Sequence, residues 1–79
     1  MKFQLAPELI KTRTAKGVLI ILPGSPWLFW TSKKFLDDNL ILNFPKTWKI
    51  QLIKATAQYK VIEKNEIYAE ELRKFLKEI

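Results

Sequence analysis

The chain has 79 residues, 48% of them apolar, a formal net charge of +6, and neither Cys nor His. That length predicts one domain around a single core, and the apolar content is too high for a disordered tail. The missing Cys and His exclude disulfides, thiolate and imidazole metal sites, cysteine nucleophiles and the side chain best suited to proton transfer near neutral pH.

The alternation of Leu9, Lys11 and Arg13 with Ile10, Thr12 and Thr14 has the period of two of a half-exposed strand, so Glu8–Thr14 is read as one. Ala15-Lys16-Gly17 links it to Val18–Leu22, a continuous run rich in β-branched residues. The pair reads as a hairpin whose second arm is buried on both faces. Pro23-Gly24-Ser25-Pro26 then forces a turn, because two prolines and a glycine stop both helix and ladder. It carries no phosphate-loop spacing.

Trp27–Thr31 follows as a short aromatic strand whose neighbours must point to opposite faces. Ser32–Asn39 reads as a helical turn capped by Thr31 or Ser32, or as an extension of that strand. Leu40–Phe44 is a further strand. Trp48–Lys54 has the cleanest alternation in the chain, with Trp48, Ile50 and Leu52 on one face. After the link Ala55–Gln58, Tyr59–Glu63 continues as a strand.

From Ala69 the period changes. Leu72, Phe75, Leu76 and Ile79 fall at i, i+3, i+4 and i+7, which predicts an amphipathic helix over about 69–79, with Glu70 and Glu71 in its first turn and Lys74 and Lys77 near its end. The fold class expected is α+β: a small antiparallel sheet or partly closed β-barrel of four to six strands, a body over about 1–64, closed by that helix. In general layout such a lysine-rich sheet resembles small nucleic-acid-binding β-barrels, archaeal chromatin proteins among them. The likeness is of architecture, with no motif to carry a site residue over.

Charge is divided unevenly along the chain. Ten Lys/Arg stand against three acids before Glu63, a balance of +7, and four against five from Glu63 onward, a balance of −1. With no run of five like charges, a positive patch has to be assembled by folding. The candidates are Lys11, Arg13, Lys16, Lys33, Lys34, Lys49, Lys54 and Lys60 as phosphate contacts, with Trp30 or Tyr59 as a stacking platform. Lys outnumbers Arg here, and a point charge suits phosphate better than base edges, so such binding would tolerate sequence. Asp37-Asp38, the one acidic pair in the basic body, fits a turn better than a metal or acid/base role, since adjacent side chains diverge and no third ligand accompanies them. No cofactor or metal site is read.

The function expected is therefore non-catalytic binding, first of nucleic acid on the lysine-rich β-surface. The alternative is a protein-interaction or inhibitor module, of the kind phages and mobile elements encode, docking by an edge strand, an aromatic patch or self-association. The longest apolar stretch, Val18–Trp30, has 13 residues broken by Pro23, Gly24 and Pro26, too few to span a bilayer as a helix. The N-terminal residues lack the layout of a secretory signal, and a cytoplasmic location is the default expectation. The polar face of the expected C-terminal helix mixes acids with bases, which does not suit a membrane-surface helix either.

Overall fold

A computed structural model describes residues 1–58 and 60–79. Its strands are β1 (Lys2–Gln4), β2 (Ile10–Arg13), β3 (Gly17–Ile21), β4 (Leu28–Ser32), β5 (Ile41–Asn43), β6 (Lys49–Ala55), β7 (Val61–Tyr68) and β8 (Lys77–Glu78). They form two antiparallel sheets, one ordered β5-β1-β8 and one ordered β2-β3-β4-β6-β7. Single 3-10 turns occupy Pro7–Leu9 and Lys33–Phe35, and a longer one Ala69–Lys74.

Both sheets contribute to one core. Phe3 and Leu42 come from the smaller sheet, Val18, Ile20, Phe29, Ile50 and Leu52 from the larger, and Leu5, Leu22 and Phe44 from the connections. The alternation of β6 is realised as the period of two requires: Ile50 and Leu52 are buried, whereas Lys49 and Gln51 are exposed. At the margin of this core Phe35 packs on Phe44 and Trp48, each with ring centroids 5.0 Å apart. The prolyl turn after β3 is closed by Ser25, whose Oγ donates to the Leu22 carbonyl at 2.9 Å and accepts from Trp27 N–H at 3.2 Å. Gly24 supplies the positive φ of 75° that this turn needs.

Three expectations are corrected. The segment Glu8–Thr14 begins as the 3-10 turn Pro7–Leu9, because Pro at its first position favours a helical φ, and becomes a strand at Ile10. The larger sheet does not close into a barrel. Its end strands β2 and β7 are not paired to each other and remain edges, and the ladder register shifts between Ile10 and Thr12 in β2 and where β7 meets Ala55.

The third correction is the C-terminal amphipathic helix over 69–79, which is not formed. Ala69–Lys74 is a 3-10 helix, Phe75 leaves helical geometry at φ −120°, and the chain re-enters a sheet as β8. The apolar positions still do what the stripe implied, since Ala69, Leu72 and Leu76 are buried in the core. What the periodicity could not weigh was competition from β1, whose open side pairs Phe3 with Glu78 and Gln4 with Lys77, and whose Lys2 carbonyl accepts from Ile79 N–H at 3.0 Å. A helix of eleven residues is marginal by itself, so ladder bonds along β1 decide the conformation. The layout that resembled a helix-closed barrel is thus a two-sheet arrangement closed by a strand.

Asp37 takes the turn role. Its Oδ1 accepts from Asn39 N–H and Ile41 N–H, both at 2.9 Å, beside Leu40 at φ 60°. Ser32, and not Thr31, caps the preceding turn by accepting from Lys34 N–H at 3.4 Å. Asp37→Ala should lower the unfolding free energy by about 1 kcal/mol, since it strands two backbone donors next to a strained residue. Asp38→Ala should change it little; equal midpoints for the two variants in urea unfolding would refute the assignment.

Candidate binding face

Directly opposite residues of an antiparallel ladder point to the same face. Thr12 opposes Leu19 and Leu19 opposes Trp30; Ile21 opposes Leu28, Leu28 opposes Ile53, and Ile53 opposes Lys64; Ala55 opposes Val61. These residues share the outer face of the larger sheet, turned away from Phe29 and Leu52. A groove of about 380 Å³ runs among Thr12, Leu19, Leu28, Trp30, Ile53, Ala55 and Val61. Trp30 is 48% exposed and Val61 41%, while Leu19 is only 2% exposed although it stands outside the core cluster. The outer face therefore has apolar packing of its own. Gly17 makes room for it: a Cβ there would lie 3.1 Å from the Thr31 carbonyl oxygen and 3.6 Å from the Trp30 ring.

The basic candidates do not gather around this groove. Arg13 and Lys33 line one concavity with Asp37 and Asp38, and Lys16 and Lys34 lie at the same end of the sheet, where Gly17 opposes Ser32. Lys34 Nζ sits 5.2 Å from the Phe35 ring centroid. At the opposite end Lys11 lines a small depression with Leu28 and Ala55–Ala57, and Lys60 follows on the loop into β7. Tyr59 lies outside the described residues.

Lys49 and Lys54, on β6, meet acids of the neighbouring strand. Lys49 Nζ is 3.8 Å from Glu66 Oε1, and Lys54 Nζ is 3.3 Å from Glu63 Oε1 and 4.6 Å from the Trp27 ring centroid. The separation of a basic body from a balanced tail, plain along the sequence, is thereby undone in space: β7 brings its glutamates against the lysines of β6. The Lys49–Glu66 pair is exposed on both sides and contributes little to stability, whereas Lys54 is half-buried. Both pairs lower the positive field on this part of the sheet.

No family model, curated protein or solved structure matches the chain. The site has to be read from its own geometry. The strand Trp27–Thr31, whose aromatics cannot all point inward, signals at least one aromatic on a second face, and Trp30 is 48% exposed there. Leu19, Leu28, Ile53 and Val61 were missed as site residues, although the unbroken run Val18–Leu22 signalled a strand covered on both faces. Among the described residues no helix is long and apolar enough to cross a membrane.

Proposed function

We propose that this chain is a binding module that docks another polypeptide on the outer face of its larger sheet. The observation that carries this is the apolar groove centred on Trp30. Half-exposed Trp and Val beside Leu and Ile on one face leave water-exposed apolar surface that a partner's side chains would cover, with Trp30 as anchor. Aliphatic walls favour a polypeptide over a base, whose stacking needs flat aromatic partners.

The net charge of +6 favours acidic residues at the margins of that partner. Capture from a nuclease-treated lysate, compared between the native chain and Trp30→Glu, tests the reading. The expected result is a protein retained by the native chain and reduced at least about tenfold by Trp30→Glu, with both variants folded. Identical captured sets would end it.

A sequence-tolerant nucleic-acid reading keeps one specific support, the gathering of Arg13, Lys16, Lys33 and Lys34 at one end of the sheet. Titration with single- and double-stranded oligonucleotides over a range of salt should then give binding that weakens steeply with salt and is lost in Lys33→Ala/Lys34→Ala. Absence of binding at low salt would remove that reading.

A further inference from the structure

We propose that β7 pairs with β7 of a second copy of this chain, about a two-fold axis through Asn65, to make one continuous ten-stranded sheet. The surface involved is the open edge and not the groove, so the proposal stands apart from the docking reading above. β7 is the longest strand at eight residues, it ends the five-stranded sheet, and all its residues except Ile67 are exposed.

Which backbone groups face the open side follows from their partners. Ala69 N–H donates inward to the Trp48 carbonyl at 2.8 Å. Tyr68 N–H donates to Glu71 Oε2 at 2.8 Å, and Glu66 N–H donates to Asn65 Oδ1 at 2.9 Å. Side chains thus cap the donors of Tyr68 and Glu66, which places the even-numbered backbone groups, those of Lys64 included, on the open side. The odd-numbered ones complete the ladder with β6, which runs in constant register from Glu63 to Tyr68.

Symmetry then restricts the choices. Pairing about a two-fold axis perpendicular to the sheet keeps outer faces together, so opposed residues must have the same parity and the axis must pass through a residue. An axis through Glu63, Lys64 or Glu66 sets identical charges opposite each other, which destabilises. One through Ile67 leaves a single flanking pair before the strand ends. An axis through Asn65 sets Lys64 of each copy opposite Glu66 of the other, and brings Ile62, the residue skipped where the β6 register shifts, beside Tyr68. Ile62 and Tyr68 are among the most exposed apolar residues, at 65% and 47%.

The backbone phase agrees with this register. Lys64 and Glu66 are the residues whose N–H and C=O face outward, and as opposed pairs they exchange four hydrogen bonds across the axis. Asn65 Oδ1 gives up Glu66 N–H to the carbonyl of Lys64 in the second copy. The capped donor and the outward Lys blunt the edge against arbitrary strands. A second copy is the strand that supplies a carboxylate at the matching position, extending the existing Lys49–Glu66 pair into a row of alternating charge.

Sedimentation equilibrium on the full chain at moderate salt tests this. The expected result is a monomer–dimer equilibrium with a dissociation constant between about 10 µM and 1 mM. Lys64→Glu and Glu66→Lys should each weaken it at least about tenfold, and the double reversal Lys64→Glu/Glu66→Lys should return it to within about threefold of the native value. Glu66→Pro, which removes an outward donor and spares the β6 ladder, should abolish it. Circular dichroism of each variant verifies its fold. A monomer throughout that range, or a dimer indifferent to both single reversals, would overturn the proposal.

Discussion

Replacing Phe29 by Ala should lower the free energy of unfolding by about 3–5 kcal/mol, whereas the same change at its neighbour Trp30 should cost only about 1 kcal/mol. The two residues are adjacent on β4 and face opposite ways. Phe29 is fully buried, opposed by Ile20 on β3 and Leu52 on β6, both also buried, and its ring lies in the core that the two sheets share. Removing it leaves a cavity that three ladder-bonded strands cannot collapse to fill. A chain of this length has about 4–12 kcal/mol of stability in all, so Phe29→Ala should remove a large part of it.

Trp30 is half exposed and gives up less buried area. Urea unfolding followed by the fluorescence of the remaining tryptophans measures both. If Trp30→Ala proved the more destabilising, the outer face would be a second structural core and not a docking surface. That contrast matters for function, because a residue that costs little to remove from the free chain, yet abolishes capture, is there for its partner.

How much of this was legible beforehand differs from one segment to the next. β3, β4, β5 and β6 follow from local rules, since the run Val18–Leu22, the turn Pro23–Pro26 and the alternation from Trp48 to Lys54 each carry their cause within a few residues. β1 and β8 do not. Lys2–Gln4 is too short to show a period, and it becomes a strand because residues about 40 and 75 positions away pair with it, Leu42 and Glu78 opposing Phe3. β7 was legible only at its start, up to Glu63, since Lys64, Asn65 and Glu66 have low strand propensity and are held by the β6 ladder.

The site suffered in the same way. Lysines counted along the chain predict a basic surface, but whether Lys49 and Lys54 are free depends on which strand lies beside β6, a tertiary fact. Alternation along its own strand separates Trp30 from Phe29, but which of the two faces outward is again settled by packing, which buries Phe29 and leaves Trp30 48% exposed.

The segment after Tyr68 gives the other large effect. A chain ended at Tyr68 should lose cooperative unfolding altogether, and Leu72→Ala alone should cost about 2–5 kcal/mol. The truncation removes Ala69, Leu72 and Leu76 from the core and strips β1 of its partner β8, so Phe3, now fully buried, would sit on a strand open on one side. Losses on that scale approach the whole stability available to 79 residues.

The same segment separates the observed conformation from the helix that its periodicity suggests. In an α-helix Glu70 and Lys74 would face each other one turn apart and contribute a few tenths of a kcal/mol. Here the ion pair runs instead from Arg73 Nε to Glu78 Oε1 at 3.4 Å, tying the 3-10 turn to β8. Glu70→Ala should therefore leave the unfolding midpoint unchanged while Leu72→Ala lowers it sharply, because what holds this terminus is buried leucine and a strand's ladder, not the charge pattern of a helix.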